Sequence, residues 1–432
     1  MESIWQEIQL PQFPQLQGDV HTDVLVIGGG IAGLLCAYEL QNSGIQCVVA
    51  EAATLCSGIT KNTTAKITSQ HGLIYHRLLE ELGQEIARGY LEANEQAVSA
   101  FRSLCKSISC DFQEQDNYLF SRNSRKCLEE ELYALQQLGF SAELTENLPL
   151  PFPTAGAVKF PHQGQFHPLK FLSSIASHLT VFENTPVRQL SKCAALTDHG
   201  RIYADVFVVA THFPFLNKHG SYFMKLYQQR SYAVALQGVP KLEGMYLDEA
   251  ENGLSLRTHG THLILGGGGH RTGSPGGGWK ELEMAASAYY PQASITHRWA
   301  TQDCMSLDGI PYIGHYSSRT PNLYVATGFN KWGMTSSLVA AQLLSDLIQG
   351  KHSPYASVFS PSRSMLHPQL GENLLEALKN ILSFSPKRCP HMGCALKWNP
   401  QEHSWDCPCH GSRFTQEGRL IDNPATGDLK KP

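Results

Sequence analysis

Four residues near the C-terminus have the types and spacing of a metal centre. Cys389-x-His391 is followed, after fifteen residues, by Cys407-x-x-His410. Two thiolates and two imidazoles can hold zinc tetrahedrally. The same donors can hold a [2Fe–2S] cluster, with both sulfurs on one iron and both ring nitrogens on the other. Counting donors does not choose between the two. Cys394 and Cys409 fall in the same stretch, so four of the twelve cysteines cluster there. The other eight, Cys36, Cys47, Cys56, Cys105, Cys110, Cys127, Cys193 and Cys304, are scattered and read as small buried hydrophobes.

A second chemistry-bearing pattern is Gly28-Gly29-Gly30-Ile31-Ala32-Gly33. In a G-x-G-x-x-G turn, Gly28 permits the tight bend, Gly30 lets backbone approach a pyrophosphate, and Gly33 lets helix pack on strand. The following helix, from Ile31 and Ala32, aims its positive end at the phosphates. Glu51, 18 residues after Gly33, can accept hydrogen bonds from ribose hydroxyls. The turn alone does not distinguish NAD from FAD.

These motifs need particular elements around them. Residues 23–28 and 45–50 read as buried strands flanking a helix over 31–43, the context the turn requires. A long helical pattern runs from about Leu73 to Ile108, interrupted at Gly83 and Gly89. Strands are expected near 115–121, 156–160, 206–210 and 323–327, with a hairpin over 254–265 turning at His259-Gly260. A helix follows at 334–349, and residues 350–364 have the composition of a linker. A short helix over 371–382 precedes the cysteine–histidine stretch.

Composition sets outer bounds. The chain has 432 residues, 42% hydrophobic and 17% charged, so it is not disordered as a whole. Net charge is −4 with no basic block, which gives a nucleic-acid or membrane-surface role no electrostatic support. No apolar run is long enough to span a membrane, and the first twenty residues lack a basic signal-peptide start. A cytoplasmic enzyme is the default expectation.

Residues 23–60 and 206–350 resemble the flavoprotein family of D-amino-acid, glycine and sarcosine oxidases. In that family a distant segment returns to cover the flavin. Asp308-Gly-Ile-Pro-Tyr-Ile-Gly314 and Leu323-Tyr-Val-Ala-Thr-Gly328 look like that return, and the helix after Gly333-Met334-Thr335 would aim at the flavin. The resemblance implies that the Ser57–Lys66 loop, with Thr63 and Thr64, lines the flavin, and that Val187 sits near the adenine. A cation such as Lys66 would stabilise reduced, anionic flavin. Some relatives attach flavin through a cysteine before the return; Cys304 lies close to it at a shorter offset.

The flanks CPHMGC (389–394) and CPCHGS (407–412) resemble the two halves of a Rieske iron–sulfur motif. That resemblance makes Cys389, His391, Cys407 and His410 the ligands of a [2Fe–2S] cluster. It also implies a disulfide between Cys394 and Cys409. High-potential Rieske proteins place a serine and a tyrosine two and four residues after the last histidine; here these are Ser412 and Phe414. The module is short on its N-terminal side, so the preceding domain must support it or the cluster loops are poorly backed.

Together the chain is similar to FAD-dependent oxidoreductases carrying a C-terminal Rieske domain. The fold class is α/β (α+β overall), with a Rossmann-like FAD-binding domain and an interleaved mixed-sheet substrate domain. The oxidoreductase spans 1–350, its FAD-binding parts at 20–72, 165–215 and 300–350 and its substrate parts at 73–164 and 216–299. A linker and helix (351–384) lead to the module at 385–432. The resemblance implies a dehydrogenase for a small amine, amino acid or hydroxy acid, which passes electrons through the cluster to an external one-electron acceptor. Two other readings stay open: a non-catalytic flavin/iron–sulfur electron carrier or sensor, and a simple amino-acid oxidase with a zinc-binding or cluster-less tail. Relatives often fix a substrate carboxylate with arginine; Arg230, Arg257, Arg271 and Arg298 are available. His270, beside Arg271, and Lys66 are the remaining catalytic candidates, with His71 equally open.

Overall fold

The structure is a computed structural model that describes residues 2–216 and 219–430. Its centre is the strand Val20–Ile27, whose second half is buried on both faces: Val24 and Val26 pack among the apolar residues of helices 31–42 and 333–348, and Leu25 and Ile27 pack with Leu16, Ala195 and Phe213. It lies between Arg201–Val209 and Cys47–Ala50, parallel to each. Leu323–Thr327 and Thr180–Phe182 extend this sheet as parallel outer strands, and Tyr312–His315 adds an antiparallel edge. Helix Ile31–Asn42 leaves the glycine turn and packs on helix Gly333–Ile348.

A second sheet, of nine strands among the described residues, stands beside the first. Its order is Ser294–Ser306, Leu226–Gln237, His262–Arg271, Ser255–His259, Met245–Asp248, Gln113–Ser121, Gly156–Gln165 and Lys66–Ile67, with Glu143–Thr145 paired to Gly156–Gln165. The strand Ser294–Ser306 runs through the 299/300 division drawn from the sequence, because it pairs with Leu226–Gln237 along its whole length. The hairpin turns at Gly260 with φ +55°.

Two glycines in the long helical region behave differently. Gly83, at φ +84°, divides it into Ile74–Leu82 and Gln84–Leu104. Gly89 stays helical; a Cβ there would lie 2.9 Å from Val358 Cγ2. It admits residues 356–359 against the helix. Residues 350–364, expected as a linker, therefore form a packed strap: Val358 and Phe359 are buried, and Arg363 forks onto both oxygens of Asp308 at 2.8 and 2.6 Å. The scattered cysteines also divide, with Cys193 exposed and Cys105 and Cys127 half-buried, while the other five are buried.

After helix Pro368–Leu382 come four short antiparallel strands, Lys397–Asn399, Ser404–Asp406, Arg413–Thr415 and Leu420–Asp422. Their loops carry the cysteine–histidine pairs.

The glycine turn is sterically closed. A Cβ on Gly33 would lie 1.9 Å from the Gly28 carbonyl oxygen. Gly33→Ala must spread the turn and is expected to purify without bound flavin, read from the visible absorbance against the protein band. Full flavin content in that variant would contradict the packing described here.

Candidate functional site

The turn's residues meet one another closely. Gly28 has φ +112°, and a Cβ there would stand 2.6 Å from the Ala210 carbonyl oxygen. Gly30 precedes the helix, whose first amide, Ile31 N, donates to Thr60 Oγ1 at 3.1 Å. The Glu51 carboxylate accepts from the amides of Gly29 (2.6 Å) and Ala53 (2.8 Å), which fixes it at the mouth of the turn. Burial pushes its carboxyl up against the pull of those amides. The bare cradle, walled by Gly28 and Gly33 and faced by helix amides, suits a pyrophosphate. Thr60 was not singled out from the sequence, because only the fold shows it meeting the helix start.

Thr335 Oγ1 donates to the Thr68 carbonyl at 2.8 Å and accepts from Thr68 N at 3.1 Å. Helix Gly333–Ile348, with buried Met334, is thus joined to the end of the Ser57–Lys66 loop. Within that loop Ser57 precedes a turn at Ile59–Asn62, Thr63 Oγ1 accepts from Ala65 N, and the Thr64 methyl faces Gly266 in the second sheet. Gly314 (φ +141°) lies within the strand Tyr312–His315, and Gly328 (φ +71°) directly follows Leu323–Thr327. Val187 packs, half-buried, on the apolar cluster below the first sheet.

Lys66 is buried. Its Nζ donates to the Tyr246 carbonyl (2.9 Å) and to Ser255 Oγ (2.6 Å) in the second sheet. Beside it, Arg257 is 0% exposed, and none of its three guanidinium nitrogens has a hydrogen-bond partner. The guanidinium lies 5.2 Å over the Trp5 ring, and Trp5 Nε1 donates to the Thr63 carbonyl. Burial pulls Arg257 down to about 9, and burial with the Arg257 charge pulls Lys66 down to about 7. The other three arginines each have a polar partner, although Arg271 Nη2 is buried without one. Arg230 pairs with Glu402, Arg298 with Glu283 at the surface, and Arg271 donates to the Pro408 carbonyl. His270 turns the same way, bonded to Tyr232 and to the Arg271 carbonyl, so His270 and Arg271 stand apart from Lys66. His71 is tied to Tyr90 and Thr68.

The C-terminal loops bring all four proposed metal donors together. Cys389 and Cys407 are buried, and their sulfurs share a hydrogen bond. That contact draws Cys389 down to about 7, helped by the amides of His391 and Met392 and the Ser412 hydroxyl, and pushes Cys407 up. The His391 and His410 rings stand 4.9 Å apart, nearly perpendicular. Burial pulls them down to about 4 and about 3, so both are neutral and able to donate to a metal. His410 Nδ1 is buried without a hydrogen-bond partner. Cys394, Cys407 and Cys409 also lie within 4.8 Å of one another, but Cys394 and Cys409 are joined as a disulfide. That leaves Cys407 as the free thiol of the trio, able to ligate a metal. The loops are alike: Gly393 N bonds the Cys389 carbonyl and Gly411 N the Cys407 carbonyl, each at 2.9 Å.

The family description "FAD dependent oxidoreductase" matches residues 23–347, and "Rieske [2Fe-2S] domain" matches residues 376–432. The chain belongs to the FAD-dependent oxidoreductase family. It carries a Rieske domain at its C-terminus, and its cofactors are FAD and a [2Fe–2S] cluster. Over its whole length it is similar to the Rieske 2Fe-2S iron-sulfur protein YhfW of Bacillus subtilis (strain 168), 35% identical, covering 100% of this chain and 97% of that one. Among solved structures, glycine oxidase from Geobacillus kaustophilus shares the fold at TM-score 0.67 and 20% identity, over 80% of this chain and 100% of its own. L-proline dehydrogenase from P. horikoshii does so at TM-score 0.67 and 18% identity, over 81% and 98%.

The short Rieske module of this oxidoreductase is backed by the flavoprotein half. Gln228 Nε2 donates to the His410 carbonyl (2.7 Å) and Gln302 Nε2 to the Gly411 carbonyl (2.9 Å). A Cβ on Gly411 would lie 2.6 Å from Gln228 Cβ. Asn423 Nδ2 donates to the carbonyls of Thr211 and Phe213 at 2.6 and 2.8 Å. Phe213 stands edge-on to both candidate-ligand imidazoles, its centroid 6.4 Å from His391 and 6.2 Å from His410. Glu402 is buried between Arg230, Tyr232 and Arg413, and Arg413 also binds Asp406 and Asp422. Burial alone would raise Glu402, but the two guanidinium groups hold it below the usual carboxylate range. None of these supports is visible as a sequence motif; those that join the module to the flavoprotein half link positions more than a hundred residues apart.

Two outcomes follow. Arg230→Met leaves Glu402 buried with one cation fewer, and is expected to cost about 2–5 kcal/mol, read as earlier loss of cluster absorbance than of flavin signal in urea. Ser412→Ala removes a hydrogen bond of ~0.5–1.5 kcal/mol to ligand sulfur. It is expected to lower the cluster's reduction potential by roughly 20–65 mV in a redox titration.

Proposed function

We propose that this protein is a dehydrogenase for a small amino or hydroxy acid, oxidised at FAD, with electrons leaving singly through the Rieske cluster to an external acceptor. The observation that carries the reading is Arg257. A guanidinium buried with three unpartnered nitrogens is costly unless an anion completes it. Its planar fork matches a carboxylate. Lys66, on the loop that resemblance assigns to the flavin, lies beside it, so an anion held there would sit where hydride leaves the substrate.

Bound FAD supplies a two-electron acceptor, and the cluster a one-electron relay. The chain's own residues do the rest. Arg257 orients the carboxylate, Trp5 closes the site from below, and Lys66 adds positive charge next to the reacting carbon. The presence of a cluster favours dehydrogenase over oxidase, since reduced flavin reacts with oxygen without one. Anaerobic turnover of amino and hydroxy acids with ferricyanide is expected to outpace their oxygen consumption; the reverse order would overturn the dehydrogenase reading.

Arg257→Met is expected to lower kcat/KM for a carboxylate substrate about 10- to 100-fold, the worth of ~1.5–3 kcal/mol of charged hydrogen bonds. Lys66 is charged below about pH 7 and neutral above it. The parent kcat/KM is therefore expected to fall as pH rises through about 7, and Lys66→Met to flatten that limb. Equal rates for the decarboxylated amine would count against the carboxylate anchor.

A further inference from the structure

Helix Pro368–Leu382 is packed inside out. Its inward face is polar: Asn373 and Asn380 are buried, Asn380 Nδ2 donates to the Glu376 carbonyl at 2.8 Å, and Asn373 Nδ2 donates to the Met224 carbonyl at 3.4 Å. Only Ala377 joins the module's apolar core. Its outward face carries Leu374, Leu375, Leu378, Ile381 and Leu382, an unbroken apolar stripe at helical spacing. Leu375 is 69% exposed and Leu382 82%; flanking them, Leu366 is 92% and Phe384 93% exposed.

The stripe continues to the cluster. Arg388 Nη1 donates to the carbonyls of both Ile381 (3.0 Å) and Gly393 (2.8 Å). That single guanidinium holds the helix end against the loop bearing His391 and half-exposed Met392. From Pro368 to Gln401 the chain carries four basic residues, Lys379, Lys387, Arg388 and Lys397, against two acidic ones, Glu372 and Glu376, the latter 4.0 Å from Lys379, within a protein of net charge −4. The whole-chain charge conceals this local excess.

We propose that this face docks on an anionic lipid surface. Leucines and a phenylalanine projecting from a convex helix, with lysine and arginine beside them, are the pattern of a helix lying in the headgroup plane. No helix among the described residues is long and apolar enough to cross a membrane, so the contact is peripheral. Docking would bring the His391 side of the cluster to the lipid, where an apolar acceptor dissolves. That last consequence rests on the function proposed above; the docking itself does not.

The test is sedimentation of the full holoprotein with phosphatidylcholine vesicles, with and without phosphatidylglycerol, without turnover. The parent is expected to pellet with the anionic vesicles, and Leu375→Glu/Leu378→Glu to partition at least tenfold less. Lys379→Gln/Lys397→Gln is expected to lose the preference for phosphatidylglycerol. Flavin and cluster absorbance establish that each variant is folded, and Leu375→Ser/Leu378→Ser serves if the glutamates disturb it. No partition by the parent, or equal partition by the leucine variants, overturns the proposal. So does a dimer in analytical ultracentrifugation that the leucine substitutions abolish, which would assign the face to a second copy.

Discussion

The Glu402 carboxylate, largely enclosed between Arg230 of the large sheet and Arg413 of the small one, is the contact on which the arrangement of the two cofactor sites depends. Four strands of three residues each cannot bury enough apolar surface to stand alone. They borrow a wall. Glu402 supplies the charge that makes detachment costly, because separating the surfaces would leave Arg230 without its partner. Gln228, Gln302 and Asn423 then fix the loops by their backbone, which sets position without depending on particular ligand side chains.

One short segment connects the two centres. Strand Arg201–Val209 ends in Ala210, whose carbonyl leaves no room for a side chain on Gly28. Three residues later Phe213 meets both His391 and His410. The residues that shape the phosphate cradle and those that bear on the cluster thus belong to one rigid strand end. The second sheet divides its polar residues accordingly. Lys66 and Arg257 stand together at the end of the Ser57–Lys66 loop, and Arg230, His270 and Arg271 all turn toward the Rieske module.

Much of this was legible from local pattern. The glycine turn announces itself because its strand and helix lie next to it in sequence, and the two halves of the cluster motif each fit in six residues. Pairing was not legible. Nothing near Arg230 or Arg257 distinguishes them; one meets a carboxylate 172 positions away and the other meets none. Residues 350–364 have the composition of a linker, yet they pack because Gly89, far upstream, opens a place for Val358. Periodicity indicated the helix over 371–382 but not that its polar side would face inward.

This seat holds the flavoprotein half and the Rieske module together in one chain. Low-temperature EPR after dithionite reduction of anaerobically purified protein, with iron, zinc and flavin quantified on the same sample, addresses it directly. The account expects a rhombic Rieske-type signal near one cluster per chain, alongside one FAD. Flavin accompanied by zinc, or by no metal despite anaerobic handling, would contradict it.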